Sequence, residues 1–417
     1  MGAGAAGLMT ARELARAGRR VTVLEARDRC GGRIYPLPAE EFGYPAEGGP
    51  EFIHGAAPVT RALMREAGLS LSPRGGERWS VRSGNWSQAA LAMPDTERFY
   101  RVLQEVKTDL PIAEFLEIHF SDRRYDELRR SITRTVEGYD AADPHRASTL
   151  ALREEWMARD DGQHGRITEG YGAMIAYLAA ECRRHCGVLH LGAEVKKIDQ
   201  DGGGIAVRCR DGTVVEADAA VLSVPLPLLS EIDVPAAARQ RAMAADDIGY
   251  GNVVKFLLRF ATAWWTDQGG RDLQNLSFLL SDARVPTWWT QHPAPFPVLT
   301  GWFAGPKADG VSSLTESDLV EMGLASLADI FATPAERLRR KLVASRAIDW
   351  GNDPFARGAY SYATPQTRAA QALLRHPAGD GVVFSGEALY IGPDIGTVEA
   401  ALAMGLETAQ EILAAGL

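Results

Sequence analysis

Helical periodicity dominates the middle of the chain. From Pro94 to about Glu137, apolar residues recur every three or four positions, the spacing that places them on one face of a helix. The same spacing covers Pro58 to Leu69 and Thr315 to Phe331, and Thr315 or Ser317 is suited to cap the latter helix. The sequence therefore predicts a long helical block and two further helices.

Short apolar runs bounded by glycine, asparagine and proline predict strands. Such runs occur at Arg78 to Arg82, Leu276 to Leu280, Val298 to Phe303 and Leu342 to Ile348. Four runs between Val188 and Val215 predict a set of antiparallel hairpins. The continuous apolar run from Ala219 to Pro225 instead predicts a strand of a parallel sheet.

A buried strand is predicted from Gly249 to Phe260, a strongly apolar stretch. Lys255 stands inside it, and a buried ammonium is costly unless a partner compensates it. The lysine therefore indicates either a functional site or a long side chain whose stem is buried and whose head reaches solvent.

The chain opens with a glycine-rich turn. Gly2, Gly4 and Gly7 fit the pattern G-x-G-x-x-G, and a helical run and the apolar residues Val21 to Leu24 follow. In a dinucleotide-binding unit, these glycines allow a tight turn, a close backbone approach to a pyrophosphate and close packing of the helix on the sheet. Glu25 ends the strand 18 residues after Gly7, where an acid can accept hydrogen bonds from a ribose. The combination predicts a dinucleotide site.

A dinucleotide-binding unit normally has a strand before its glycine turn. Here Met1 stands directly before the first glycine. We therefore expect the start to be misplaced or truncated, so that the central strand of the sheet is missing. If the chain is really this short, weaker cofactor binding follows, and an inactive apo protein is one alternative.

Composition argues against several classes of protein. The 417 residues are enough for two or more domains, and the net charge of −9 argues against a nucleic-acid surface. Four cysteines are too few and too scattered for a disulfide framework, and we expect no metal site among them. The sequence shows neither a signal peptide nor an apolar run of membrane-spanning length, so we expect a cytoplasmic protein without a membrane partner. Richness in arginine and alanine suggests a bacterial source.

The segments Leu24–Arg27 and Gly31–Arg33 resemble the start of the flavin amine oxidase family, which includes monoamine and polyamine oxidases. The segments Glu47–Gly55, Trp350–Tyr362 and Gly386–Gly405 resemble the same family. The resemblance implies an α/β fold in which a Rossmann-type FAD-binding domain, here without its first strand, is interleaved with an α+β substrate domain. The implied FAD domain comprises residues 1–55, 165–248 and 358–417, and the implied substrate domain comprises residues 56–164 and 249–357.

The resemblance also implies which residues hold FAD. Glu25 would bind the adenosine ribose, and Arg27 and Arg33 would lie near the phosphates. Val195 would pair with the adenine, although ordinary strand packing explains that residue equally well. Glu387 would contact the ribityl and pyrophosphate region, and the Val398 backbone would face the flavin O2 edge. The full implied set is Gly2, Gly4, Ala6, Gly7, Glu25, Ala26, Arg27, Gly32, Arg33, Val195, Trp350, Gly386, Glu387, Thr397 and Val398.

Four residues would form the catalytic site. By resemblance, Lys255 reaches flavin N5 through a water, Trp350 packs near the flavin, and Tyr360 forms one wall of an aromatic cage for the amine. His54 matches a histidine that polyamine oxidases keep beside the flavin; a satisfied histidine at a strand end is the alternative. Thr397 replaces the second cage tyrosine of monoamine oxidases, so we expect a cage that is only half aromatic.

Two further expectations concern single positions. Monoamine oxidases bond FAD through a cysteine at the position of Ala359, so the cofactor is expected to be non-covalent here. Asp140, Asp143 and His145 form a polar loop after the helical block, and we expect them to be solvated. These acids could attract an amine to the entrance of the site, but their spacing does not require it.

The implied reaction is oxidation of an amine. A hydride passes from the amine α-carbon to flavin N5, water hydrolyses the imine, and O2 reoxidises the flavin to give H2O2. The expected partners are a small-molecule amine and O2, with a homodimer left open. One alternative is an L-amino-acid oxidase, which needs a cation for the substrate carboxylate. The others are another oxidase or desaturase of the same superfamily and the inactive apo protein.

Overall fold

The computed structural model describes residues 1–88, 95–158, 164–201, 204–268, 270–376 and 381–416. Pro94, the predicted start of the helical block, lies outside these ranges. The strands are β1 (Thr22–Leu24), β2 (Phe52–Ile53), β3 (Leu71–Pro73), β4 (Glu77–Arg82), β5 (Asn85–Ser87), β6 (Gly165–Ile167), β7 (Val188–His190), β8 (Val195–Asp201), β9 (Gly204–Cys209), β10 (Val214–Ala217), β11 (Ala220–Leu222), β12 (Gly249–Gly251), β13 (Val253–Phe260), β14 (Asp267–Gln268), β15 (Arg271–Asp272), β16 (Leu276–Ser281), β17 (Thr287–Trp289), β18 (Val298–Ala304), β19 (Leu342–Asp349), β20 (Tyr360–Tyr362) and β21 (Val382–Phe384).

The helices are α1 (Ala5–Arg16), α2 (Ala39–Phe42), α3 (Pro58–Ala67), α4 (Thr96–Glu105), α5 (Ile112–Phe120), α6 (Asp126–Gly138), α7 (Thr149–Met157), α8 (Tyr171–Arg184), α9 (Ala236–Ala242), α10 (Pro306–Asp309), α11 (Glu316–Ile330), α12 (Ala335–Arg339), α13 (Thr367–Arg375) and α14 (Val398–Ala414). The predicted helical block is thus α4, α5 and α6, which share a hydrophobic core with α7. Thr315 caps α11 in a reciprocal capping box, as its sequence predicts.

Two parallel strand pairs carry the N-terminal turn. β1 pairs with β7, and β11 pairs with β21. The backbone of Met1 and Gly2 lies between the two pairs. The Gly2 N–H donates to the Leu24 carbonyl (2.8 Å), and the Met1 amine donates to the Val221 carbonyl (2.7 Å). The turn is thereby fixed at the carboxyl ends of β1 and β11, where open α/β sheets bind their ligands.

The structure corrects one predicted pairing. Val188–His190 does not join the hairpins, because it forms β7 and pairs in parallel with β1, with Thr22 opposite Val188. The antiparallel set consists of β8, β9 and β10. A three-residue run carries little register information, and its partner is distant in the sequence, so the local pattern does not reveal the pairing.

The predicted strand from Gly249 to Phe260 is divided at Asn252. Its first part, β12, pairs with β20, whereas β13 lies between β18 and β19 in a seven-stranded sheet. The Asn252 carboxamide accepts from the Val253 N–H (2.7 Å) and donates to Asp349 (3.2 Å), which stabilises the break. The strand β12, which pairs with β20, therefore leads directly into β13. Tyr360 on β20 is thereby placed near the start of the strand that carries Lys255.

Helices pack around the N-terminal turn and on the seven-stranded sheet. α1 packs against α8 and α14, and a Cβ on Gly405 would meet the Ala6 carbonyl at 2.4 Å, so α1 and α14 approach closely. α11 packs on the seven-stranded sheet, where Gly323 faces the rings of Phe256 and Trp288. Across the described ranges, we find no helix with the length and apolar character that a bilayer crossing requires.

Gly7 lies where α1 meets the turn, and a Cβ there would lie 2.1 Å from the Gly2 carbonyl oxygen. We predict that Gly7→Ala lowers the free energy of unfolding by about 1–3 kcal/mol, because the backbone must shift to admit the methyl group. Gly138→Ala is the matched control, since its Cβ would meet nothing within 4 Å. That change should be neutral or slightly stabilising at a helical position. Urea unfolding measures both variants, and equal stability would contradict the close packing.

Candidate active site

One cavity brings the sequence-predicted site residues together. It has a volume of about 1710 Å³, and every residue of the predicted catalytic and cofactor sets lines it except Gly7. Gly7 instead packs against the backbone of Gly2 and the hydroxyl of Ser223. The walls come from the glycine turn, from the segments after β1 and before α3, from the seven-stranded sheet and from the loop before α14.

The start of α1 faces the cavity. Gly4 precedes the helix with an extended backbone, and no side chain caps the helix. A Cβ on Gly4 would have the Gly31 carbonyl oxygen as its nearest neighbour, 4.0 Å away. The first N–H groups of the helix and the positive end of its dipole are therefore available to an anion that approaches the glycine closely.

Glu25 links the turn to the segment that follows β1. Its carboxylate accepts from the Ala3 N–H (2.6 Å) and from the Arg27 N–H (2.9 Å). The side chain is buried but lines the cavity. A carboxylate has about four lone-pair positions, so acceptor capacity remains for hydroxyl donors. The geometry suits a ribose diol.

Two arginines of the cavity wall are held by acids from the other end of the chain. Arg27 donates to both Asp353 oxygens (3.0 and 2.5 Å), and Arg33 donates to Glu387 (2.8 Å) and to the Ala359 carbonyl (2.9 Å). The acids lie 326 and 354 residues further along the chain. The arginine charges are therefore fixed in place and partly compensated before any ligand binds.

Glu387 joins β20 to the loop before α14. Besides Arg33, it accepts from the Ser361 hydroxyl (3.0 Å) and from the Gly396 N–H (3.1 Å). The preceding Gly386 has a φ of 143°, and a Cβ there would meet nothing within 4 Å. The backbone at Gly386 consequently faces open cavity, with room for a ligand to approach it.

Lys255 is 0% exposed and lies at the cavity floor. Its Nζ donates to the carbonyls of Glu47 (2.7 Å) and Gly49 (2.8 Å) and lies 3.6 Å from a carboxylate oxygen of Glu51. Burial lowers the pKa of Lys255, and the charges of Glu51 and Glu47 oppose that effect. The ammonium group of this lysine does not reach solvent. The alternative of a buried stem with a solvent-exposed head is therefore excluded.

Trp350 holds the same segment as Lys255. Its Nε1–H donates to the Gly48 carbonyl (3.2 Å), so three consecutive carbonyls accept hydrogen bonds from two side chains. The segment has no room to move on its other side, because a Cβ on Gly49 would lie 1.9 Å from the Arg33 carbonyl oxygen. Trp350 is therefore a structural clamp at the cavity floor.

Aromatic rings form the wall next to the lysine. Tyr360 stacks on Trp302 with ring centroids 6.4 Å apart and 22° between the ring planes. The Tyr360 hydroxyl donates to the Tyr139 carbonyl (2.7 Å), and Trp302 lies opposite Lys255 in the register of β13 and β18. Thr397 caps α14 by accepting from the Ala400 N–H (3.1 Å). The second ring beside Tyr360 thus comes from Trp302 and not from position 397.

This geometry can be set beside known proteins. A family model described as flavin containing amine oxidoreductase matches residues 5–85 and 87–413. The chain belongs to this family. Membership confirms the predicted family, its FAD cofactor and the class of enzyme.

Its sequence relatives include two plant enzymes and a human one. Polyamine oxidase 4 of Oryza sativa subsp. japonica is 25% identical over 99% of this chain and 87% of the relative. Polyamine oxidase 2 of Arabidopsis thaliana is 26% identical over 99% of this chain and 86% of the relative. Lysine-specific histone demethylase 2 of Homo sapiens is 26% identical over 93% of this chain, which spans 50% of that protein.

Solved structures agree with the fold. A triple mutant of putrescine oxidase has a TM-score of 0.81 at 23% identity, covering 99% of this chain and 98% of that one. Cyclohexylamine oxidase from Brevibacterium oxydans IH-35A has a TM-score of 0.80 at 22% identity with the same coverage. These likenesses confirm the predicted fold class of the amine oxidase.

The residues of this amine oxidase fit FAD. The uncapped start of α1 offers N–H donors for a pyrophosphate, and Glu25 offers acceptors for a ribose. Gly4 and Gly386 leave open space where a side chain would fill the groove. The cavity continues from these positions to Lys255, Trp350 and the aromatic wall, so one elongated ligand can reach both ends.

Asp140 is half-buried and not fully solvated, contrary to the sequence expectation. One oxygen of its carboxyl group is buried, and the charge of Glu155 on the cavity wall acts on it. Burial and the nearby carboxyl raise the pKa of Asp140 well above its ordinary value, and burial raises the pKa of Glu155 to about 7. The loop pattern does not show this because Glu155 comes from a different element, α7.

Sequence reasoning missed Trp302, Tyr139 and Glu51. Trp302 lies beside a buried lysine only through the pairing of β13 with β18, which the sequence pattern does not specify. Tyr139 follows α6, and its hydroxyl lies 3.2 Å from His54 Nδ1. Glu51 stands three residues before His54 and could have been noted as an acid within a predicted site segment.

His54 lines the cavity beside Tyr139 and His164. Burial, helped by the charges of His164 and Arg74, lowers the pKa of His54 from 6.5 to about 4. Between these two values the unfolded chain binds a proton that the folded chain does not. The contribution of His54 to stability therefore declines as the pH falls from 6.5 towards 4.

We predict that His54→Gln removes this acid sensitivity. Relative to the wild type, the variant should gain stability as the pH falls from about 7 to about 5, because glutamine does not titrate in that range. Urea unfolding at the two pH values measures the difference between the proteins. A difference that is independent of pH would show that His54 is not held in its neutral form.

Proposed function

We propose that this protein is an FAD-dependent oxidase of small amines. The supporting observation is that the dinucleotide turn, the buried Lys255 and the Tyr360–Trp302 pair line a single cavity. An amine placed against the two rings would have its α-carbon between them and the cofactor. The polyamine oxidases among the relatives support an amine as the substrate.

The chain itself binds and orients the amine and excludes water. The faces of Tyr360 and Trp302 are electron-rich and attract the positively polarised N–H hydrogens of an amine. Phe52, Phe278 and Trp289 pack together and make the adjoining wall apolar. When bound, FAD would take a hydride equivalent from the amine α-carbon and pass the electrons to O2, giving H2O2, while water hydrolyses the imine. This chemistry needs no protein nucleophile.

FAD would extend along the cavity from Glu25 to Tyr360. The start of α1 would hold the pyrophosphate, and Lys255, Trp350 and the start of α14 at Val398 would surround the flavin end. We also propose the division into an FAD unit of residues 1–55, 165–248 and 358–417 and a substrate unit of residues 56–164 and 249–357. The parallel pairs fall in the first unit and the seven-stranded sheet in the second, which supports this division.

A second candidate function is oxidation of an L-amino acid, and Arg74 is the residue that favours it. Arg74 lines the cavity over the Phe278 ring (5.5 Å), and its charge acts on His54. A guanidinium in this place could bind a substrate carboxylate. The Asp140–Glu155 pair on the same cavity favours a cationic substrate instead.

The cytoplasmic location, the bacterial source and the homodimer stay predictions from the sequence.

Acid precipitation tests the cofactor first. Because Ala359 stands where covalent enzymes carry a cysteine, we predict that denaturation of the purified protein releases yellow FAD into the supernatant. Colour that stays in the pellet would contradict the non-covalent assignment. A colourless protein that does not take up added FAD would favour the apo alternative.

Peroxide release with a panel of amines tests the reaction. We predict that Tyr360→Ala lowers kcat/KM roughly tenfold or more, because an aromatic face contributes ~1–2 kcal/mol to holding an amine. Tyr360→Phe keeps the ring and loses only the hydrogen bond to the Tyr139 carbonyl, so its effect should be smaller. Tyr100→Ala is the control, since this tyrosine of α4 does not line the cavity.

The same panel separates the two candidate functions when each amine is paired with the amino acid of the same side chain. Arg74→Met should leave oxidation of the amines unchanged. Faster turnover of the amino acids, lost in Arg74→Met, would contradict the proposed substrate class and establish the second candidate.

A further inference from the structure

Glu51 is a buried carboxylate that the proposed reaction does not yet use. It precedes β2, is 7% exposed and lines the cavity. One of its oxygens accepts from Trp289 Nε1–H (2.5 Å), and the other accepts from the Gln291 side-chain amide (3.1 Å). The two neutral donors come from the last residue of β17 and from the segment just after it, and they fix the orientation of the carboxylate.

Lys255 needs such a carboxylate. Two of its three N–H bonds are used by the carbonyls of Glu47 and Gly49. Within the described parts of the chain, the charged acceptor found within 4 Å of Nζ is Glu51, at 3.6 Å. Two carbonyl dipoles do not repay the removal of an ammonium from water, whereas a fixed anion at this distance strongly favours the charged form.

The other charges around Lys255 make Glu51 more important. Arg166 on β6 is a second cation, half-buried; its charge disfavours the charged form of Lys255, whereas the charge of Glu51 favours the charged forms of both. The remaining acid, Glu47, accepts from the Gly172 N–H (2.8 Å), and burial raises its pKa to about 7, so it is only partly charged near neutral pH. Glu51 is thus the main counter-charge for two cations.

We propose that Glu51 is a positioning residue for Lys255, which keeps the buried ammonium charged and fixed in the cavity floor. The inference deepens the proposed function, because Lys255 is assigned there to the flavin end of the cavity. Its direct consequence is a property of the folded protein, however, and can be measured whether or not the protein turns over an amine.

The test compares the pH dependence of unfolding in the purified protein and its variants. Glu51→Gln keeps the shape of the side chain and removes its charge, which should lower the pKa of Lys255 further. The ordinary pKa of an unfolded lysine is 10.5, so the unfolded chain keeps this proton through most of the range from pH 7 to 10. The pH range in which the folded variant binds fewer protons than the unfolded variant is then wider than in the wild type. The stability deficit of the variant relative to the wild type should therefore narrow as the pH rises from about 7 towards 10.

A double-mutant cycle distinguishes the charge from the hydrogen bonds. In a Lys255→Met background, Glu51→Gln should cause a deficit that varies much less with pH, because only the bonds from Trp289 and Gln291 and the titration of Glu47 are then affected. Glu51→Asp restores the charge and should recover most of the wild-type pH dependence. Trp289→Phe removes a donor to Glu51 and leaves both charges, so its deficit should not vary with pH.

The same pH dependence of the Glu51→Gln deficit with and without Lys255 would overturn the proposal and leave Glu51 a structural residue. Should Glu51→Gln fail to fold, the double variant decides, since removal of both charges relieves a burial penalty that removal of one creates. Folding restored by Lys255→Met supports the pairing, and a double variant that fails although Lys255→Met alone folds contradicts it. Flavin content is recorded separately, so that a protein without flavin refutes the proposed function and not the pairing.

Discussion

Three consecutive carbonyls, those of Glu47, Gly48 and Gly49, accept hydrogen bonds from Lys255 and Trp350, and the rest of the site depends on this clamp. It joins the N-terminal segment, which carries the glycine turn, to the seven-stranded sheet, which carries Trp302 of the aromatic wall. Both glycines are required: a Cβ on Gly48 would lie 2.6 Å from the Ile348 side chain, and one on Gly49 would overlap the Arg33 carbonyl. The floor of the cavity is therefore one tightly packed layer with a buried cation in it.

Ion pairs between segments that are distant in the sequence also hold the walls of the cavity together. Arg27 with Asp353 and Arg33 with Glu387 connect the start of the chain to its last quarter. Glu399 of α14 accepts from the N–H groups of Val59 (2.9 Å) and Thr60 (2.7 Å) at the start of α3. Buried ion pairs contribute little net stability once desolvation is counted. Here they fix the relative positions of segments that a single elongated ligand would contact.

The parts of this fold that sequence predicts are those governed by local rules. The glycine turn and the cap of α11 follow from residue types at fixed spacings. Lys255 was recognisable because a lysine in an apolar strand is physically expensive. The segments around Glu25, Tyr360 and Glu387 were recognisable through resemblance to a family.

The parts that were not predictable depend on which strands and loops meet. The β7 run of Val188–His190 looks like one arm of a hairpin until its parallel pairing with β1 is known. Asp140 looks solvated until α7 brings Glu155 against it. Trp302 becomes a wall of the site only through the register that sets it opposite Lys255. Non-local pairing decides each case, and the pattern of a single segment does not contain it.

The most direct test of amine oxidation in this cavity is an anaerobic titration of the purified protein, followed through its visible flavin absorption. Addition of an amine substrate should bleach the flavin, and admission of air should restore the colour with release of H2O2. Matched amino acids should bleach it slowly or not at all. A flavin that no amine bleaches, or that only amino acids bleach, would contradict the account.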